Sequence, residues 1–169
     1  MSISSLPSLS ALLVAFSFDP VTTEIDTSTL DLSDAALLHR DPQAERSRLI
    51  TRGFRVGAVR AWWTQDEPHE LVARVVLYRM GDLTAAALSV ADSWSELRAG
   101  NARIVRIGAT SVALVSEDGG EGTTDWTALA FGRNDDVVVA IVGCGANVDD
   151  ATRSCGALFD AQMAQLNTP

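Results

Sequence analysis

The stretch Leu71-Val72-Ala73-Arg74-Val75-Val76-Leu77-Tyr78-Arg79-Met80-Gly81-Asp82-Leu83 decides the fold, because it completes a buried strand, turns a corner and opens a long helix. Its first half is β-branched and aromatic with a single charge, the composition of a mostly buried strand. Gly81-Asp82 punctuates the chain, and the Asp82 carboxylate can accept from the free N–H groups of a first helical turn. Beyond it, Leu83, Ala87, Val90, Trp94 and Leu97 recur at steps of four, three, four and three, which places them on one helix face. Ala85, Ala86, Ala87 and Ala91 allow that helix to lie close to a sheet. Alternation along the strand puts Val72, Arg74, Val76 and Tyr78 on one side and Leu71, Ala73, Val75 and Leu77 on the other. The second set is apolar throughout and is expected under the helices, with Arg74 and Tyr78 on the open face.

Upstream, residues 54–63 read as a strand with Phe54, Val56, Ala58 and Trp62 on one side and Val59, Ala61 and Trp63 on the other. Residues 65–69, with Pro68, turn it back into the central strand. Asp41-Pro42 opens a helix that runs to about Thr51 and stops at Gly53. Ser33 is expected to cap a short helix within 30–38, and 21–29 is a Thr- and Asp-rich exposed strand or loop. Residues 9–18 are apolar but lack the basic start and cleavage site of a signal peptide, so they read as a short helix burying Leu9, Leu12, Leu13 and Phe16.

Downstream, Gly100-Asn101 ends the long helix. Four strands follow at 104–107, 111–116, 123–132 and 136–143, with turns at Gly108, 118–122 and Asn134-Asp135. Asp149-Asp150 caps a last helix, 150–166, with Ala151, Cys155, Leu158, Phe159, Met163 and Leu166 at helical spacing. There is no internal repeat and no linker, so 1–169 is one domain. Strands joined by tight turns are antiparallel. The expected fold is an α+β two-layer sandwich: an antiparallel sheet of five or six strands, the 82–99 and 150–166 helices packed on one face, and the other face half polar and open.

The chain has 169 residues, is 47% hydrophobic and carries a net charge of −9. That is enough for one real core. The acidic balance argues against nucleic acid and anionic membranes as partners. All thirteen basic residues are arginine, a coding bias more than chemistry, and six of them fall between 40 and 60. A solvated helix face is the plain reading of that group and an anion-holding patch the sharper one. No stretch reaches the ~20 apolar residues of a membrane span, so membrane contact is expected only through an anchor absent from this chain.

Neither a glycine-rich phosphate loop nor a Gly-x-Ser-x-Gly elbow is present. His39 and His69, the two histidines, sit in polar segments away from any nucleophile in sequence. The acidic pairs Asp66-Glu67, Glu117-Asp118, Asp135-Asp136 and Asp149-Asp150 stand at turns or helix starts, where structure alone explains them. No cofactor and no metal are expected. Cys144 and Cys155 close a loop short enough for a disulfide, worth about 3 kcal/mol in the chain-entropy model. Two reduced core cysteines are the alternative. Of the four tryptophans, Trp94 belongs to the core, and Trp62 and Trp63, adjacent on a strand, must face opposite ways. The candidate ligand-binding set is Arg74 and Tyr78 with Arg60 and Trp62 from the neighbouring strand: guanidinium, phenol and indole able to receive an anionic or sugar ligand.

The run 69–78 with its Ala-rich helix ending near Trp94, and the run 126–144 in which Asn134 precedes a Val-rich strand ending in Cys144, resemble the extracellular sensor domain of the PknH-type serine/threonine kinases of mycobacteria. The resemblance covers roughly 54–166. It implies a non-enzymatic, extracytoplasmic domain of the actinobacterial cell envelope, secreted or anchored, that senses or binds a small ligand or cell-wall fragment. The cysteine pattern departs from that family: Ser95, Glu96 and Leu97 follow Trp94, Gln43 and Ala44 follow Asp41-Pro42, and Trp126-Thr127-Ala128 stands where the family has Trp-x-Cys. By that comparison Cys155 is the partner left to Cys144. The alternatives are a protein-interaction module using the open sheet face, as in Mog1/PsbP-like lipoproteins, and a hydrolase whose groups meet only in the fold, with His39 or His69 beside a carboxylate.

Overall fold

The computed structural model describes residues 8–18, 23–65, 70–118 and 124–168. Seven strands form one sheet: β1 (Thr23–Leu30), β2 (Val56–Thr64), β3 (Leu71–Arg79), β4 (Arg103–Ile107), β5 (Thr110–Asp118), β6 (Thr124–Asn134) and β7 (Val137–Gly145). Their order is β1-β2-β3-β7-β6-β5-β4, and every neighbouring pair is antiparallel. Two meanders, β1-β2-β3 and β4-β5-β6-β7, are therefore joined where β3 meets β7. The α+β class and the antiparallel sheet are as expected. The extra strand is β1, whose polar Thr- and Asp-rich sequence suits an edge open to water.

The helices are α1 (Leu32–Leu37), α2 (Pro42–Thr51), α3 (Leu83–Ala99) and α4 (Val148–Leu166), preceded by a 3-10 turn at Leu9–Leu12. Asp31, not Ser33, caps α1, accepting from the N–H groups of Ser33 and Asp34. Asp41 and Asp82 cap α2 and α3 as read, while Asn147 caps α4, two residues before the expected acidic pair. The β6–β7 hairpin turns through Asp135 at φ 50°, and the β4–β5 hairpin through Gly108 at φ 58°.

The expectation that both long helices share one face is corrected by the structure. Ala73, Val75 and Leu77 of β3 and Val139 and Ile141 of β7 belong to a core that includes Ala151, Cys155 and Leu158 of α4. Val76, Tyr78 and Val138, which point the other way, form a second core with Leu30, Ala35, Leu49 and Ala86 from the α1, α2 and α3 side. The sheet thus carries α4 on one face (face A) and α1, α2 and α3 on the other (face B). The physical reason lies in β3 itself. Only Arg74 interrupts the apolar residues Val76 and Tyr78 on its second side, and a strand apolar on both sides is covered on both sides. Val72, expected with them, instead packs on the face A core, because the strand pairing shifts register opposite Trp62 and Trp63. The buried stripe of α3 is also rotated from the one expected. Ala86 is fully buried and Val90 packs on the core, whereas Leu83 is half exposed.

The expected disulfide between Cys144 and Cys155 is not formed. Gly143 faces α4, since a Cβ there would meet the Cys155 nitrogen at 2.7 Å. Its neighbour Cys144 therefore projects from face B, and the sheet stands between the two side chains. Burial pushes the Cys155 thiol up to about 12, with the Cys144 thiol adding to the rise. Native protein treated with a thiol reagent should accordingly label Cys144 first and Cys155 only on unfolding. A mass two protons lighter than the dithiol in the non-reduced protein would contradict this placement.

Candidate functional site

The four residues singled out from the sequence do not meet. Arg60 and Trp62 project from face A and Arg74 and Tyr78 from face B, as the registers Arg60↔Val75, Trp62↔Ala73, Ala61↔Arg74 and Gly57↔Tyr78 require. On face A, Arg60 and Trp62 are occupied by the chain's own N-terminal segment. Arg60 Nη1 donates to the carbonyls of Leu13 at 3.2 Å and Val14 at 2.5 Å, and its Nε donates to Thr27 Oγ1 at 3.0 Å. Trp62 is 0% exposed, and its indole N–H donates to the Phe16 carbonyl at 3.0 Å. Gln162 of α4, equally buried, completes the arrangement: Nε2 donates to the Leu12 carbonyl and Oε1 accepts from the Val14 N–H, both at 2.9 Å. Phe18 stacks edge-on to Trp62 at 5.5 Å. These residues tie an extended segment to the sheet, a structural duty that occupies their donors.

Face B has two halves. In the first, α2 and α3 run antiparallel over β3, β7 and β6. Their facing sides carry two ion pairs, Arg48 with Glu96 and Arg52 with Asp92, the second at 2.6 Å. Beneath the pairs lies a small cavity of about 30 Å³ lined by Tyr78, Met80, Ser89, Ser93, Phe131 and Ala140, among others. Such a volume holds about one water. Trp94 meets Phe131 edge-to-face at 5.7 Å over β6.

At one end of this cavity stands a polar cluster. Glu45, buried on α2, lies 3.2 Å from Arg48 Nη1 and 3.7 Å from His39 Nε2. The same histidine nitrogen is 3.2 Å from the Tyr78 hydroxyl, which lies 3.5 Å from the Ala35 carbonyl. Gly57 makes room for the Tyr78 ring, since a Cβ at that position would come within 3.1 Å of it. Burial raises the Tyr78 pKa above its ordinary value, and the Glu45 carboxylate adds to the rise, so the group stays a phenol. Burial also lowers the His39 pKa from 6.5; Glu45 opposes that shift, and the positive charges of Arg48 and Arg74 reinforce it.

The second half of face B is a half-open trough. Its floor carries Arg74, Val142, Leu129, Thr127 and Cys144, all half-buried, and Trp63 at 36% exposed. At the same level on face A, Ala73, Ile141 and Ala128 are fully buried. Arg74 sits between the halves, near enough for its charge to act on both His39 and Tyr78. Its Nε is buried with no hydrogen-bond partner, and among the described residues no carboxylate pairs with it.

Arg74 and Tyr78 thus share a face as expected, but that face is covered at Tyr78. The suggested anion-holding group between 40 and 60 is dispersed: Arg48 and Arg52 pair with α3, Arg55 donates to the Gly81 carbonyl, and Arg60 lies on face A. Sequence reading named His39 only for the hydrolase alternative, as a histidine beside an unspecified carboxylate, and missed Glu45. The available signal was the spacing of Glu45, Arg48, Leu49 and Arg52 on α2, which puts charges beside the one leucine that packs on the sheet. His69 and the pair Asp66-Glu67 lie outside the described residues. Among the described residues no three metal-ligating side chains cluster.

The His39 shift has a sign that can be measured. A folded-state pKa below 6.5 means that, in the interval between the two values, the unfolded chain binds a proton the folded chain does not. The stability this contributes is present above 6.5 and is lost as pH falls below it. The melting temperature should therefore drop on acidification from about pH 7.5 to about pH 5.5, and His39→Gln should make that drop smaller. An unchanged slope in the variant would place the titration elsewhere.

No family model matches this chain, and no curated protein matches it in sequence. Among solved structures, the extracellular domain of PknH from Mycobacterium tuberculosis superposes with a TM-score of 0.56 at 12% identity. The match covers 92% of this chain and 90% of that one. At such identity the likeness is one of fold, and it extends over nearly the whole of both chains.

Proposed function

We propose that this chain is a non-enzymatic, extracytoplasmic sensor-like domain that binds a small ligand in the half-open trough of face B. The observation that carries the reading is the difference between the two faces. The central strands of face A are covered by α4 and the N-terminal segment, whereas half of face B is a largely apolar floor with a guanidinium at its centre and an exposed indole beside it. Binding sites are typically apolar hollows with a few placed polar groups. The shared fold with an extracellular domain supports both the location and the sensor role.

The cluster at the cavity supports binding over hydrolysis. His39 does stand beside a carboxylate, but the hydroxyl it touches belongs to Tyr78, whose proton is held more tightly than usual. A phenol so protected is a poor nucleophile and a poor base. Trp63 favours a second reading, in which the trough receives a partner protein, because exposed indoles are common anchors of interfaces.

The experiment is a nitrogen-15 NMR titration of the protein with muropeptide fragments of the cell wall and with a set of small acids and neutral sugars. The reading expects saturable shifts gathered at Arg74, Leu129, Val142 and Trp63. Shifts gathered around α4, or none with any compound, would overturn it. Concentration-dependent broadening of the same residues in the ligand-free protein would favour the protein-partner reading.

A further inference from the structure

Resting on that reading of the trough, we infer the chemical class of its ligand: a small amphiphilic monocarboxylate, with its acid group on Arg74 and its apolar body over Val142, Leu129 and Trp63. Arg74 is the only charged side chain that β3 and β7 turn toward the trough, and the acid on the same face at this level, Asp26 of β1, stands two strands away across Ala61. Two further cations on this face, near the cavity, are paired within the protein. Arg48 contacts both Glu45 and Glu96, and Arg52 contacts Asp92, whereas no acid among the described residues reaches Arg74.

The Nε of Arg74 is buried without a hydrogen-bond partner, and no ion pair among the described residues uses its guanidinium, so donor capacity is left for a ligand. A guanidinium fork accepts a carboxylate through two parallel hydrogen bonds, and such charge-assisted bonds are stronger than neutral ones. A lone cation in a chain of net charge −9 fits a monoanion and does not offset a phosphate dianion. His39, held neutral by burial, adds no second charge at neutral pH. Around the fork, Val142 and Leu129 offer apolar area, and the half-exposed Trp63 ring offers a flat wall. The acid group thus has one place to sit, and the hydrocarbon has the rest.

Octanoate is the probe, with octan-1-ol as its neutral counterpart of the same chain length. In thermal shift and isothermal titration with the whole chain, octanoate should raise the melting temperature saturably and octan-1-ol should not. Arg74→Gln should weaken octanoate at least about tenfold, the loss of one charge-assisted contact. Arg103→Gln, an exposed position on edge strand β4, should leave it unchanged. Equal effects of octanoate and octan-1-ol on the unaltered protein would overturn the inference, as would undiminished octanoate binding by Arg74→Gln. Because the first comparison needs no variant, a poorly folding Arg74→Gln does not block the test. If neutral sugars shift the trough while octanoate does not, the ligand class fails and the binding reading stands. If nothing shifts the trough, both fail.

Discussion

The closeness of α4 to the sheet is the constraint on which the rest of the structure depends. At Gly132 a Cβ would meet the Phe159 ring at 2.6 Å, at Gly143 the Cys155 nitrogen at 2.7 Å, and at Gly145 the Ala151 nitrogen at 2.7 Å. Three glycines on the same face of β6 and β7 thus let a helix lie on two strands with almost no gap. Ala128 and Ala130 extend the same low surface. Dense contact of this kind maximises dispersion and excludes water. What it leaves uncovered, beyond β3 and β2, is filled by the extended segment after Leu12, whose main-chain groups are met by Arg60, Trp62 and Gln162. The centre of face A is therefore filled, and the hollow that remains on this side lies at the start of α4, between Trp126 and Arg153.

Face B is built on a different principle. Its helices come from two separate connections: α1 and α2 link β1 to β2, and α3 links β3 at the centre to β4 at the far edge. They are held together by ion pairs over a small cavity, with buried Glu45 and Tyr78 below. Helices packed this way cover one half of the sheet and stop. The polar groups at the border, His39, Glu45, Arg48 and Arg74, act on one another through shared fields as well as through contacts. Burial is the main cause of the lowered His39 pKa, and the charge of Arg74 adds to it, so a monoanion placed at Arg74 would offset part of that shift.

Much of the fold was legible because strands and turns announce themselves locally. The β-branched run at 71–78, the Gly81-Asp82 corner and the Asn134-Asp135 hairpin all stand where the sequence put them. Alternation also separated Arg74 and Tyr78 from Ala73, Val75 and Leu77 correctly. What the residues could not convey was which covering element each side receives, since that depends on where β4 and β7 fall in the sheet order. The same gap separated Arg60 and Trp62 from Arg74, because pairing register across strands decides who shares a face. Cys144 failed as a bridge partner for the identical reason: one residue of register turns a side chain to the opposite face. Gln162 left a trace, a polar residue within the apolar stripe of α4 between Leu158 and Leu166, and such an interruption in a buried stripe points to a specific partner.

The centre of face A is covered and half of face B is open, and adjacent residues on β2 report on both. Trp62 is fully buried on face A, while Trp63 is 36% exposed on face B. Hydroxyl-radical footprinting read by mass spectrometry measures the oxidation rate of each indole in the native protein. The structure requires Trp63 to be oxidised many times faster than Trp62. Equal rates, or faster oxidation of Trp62, would contradict the division of the two faces on which the functional reading rests.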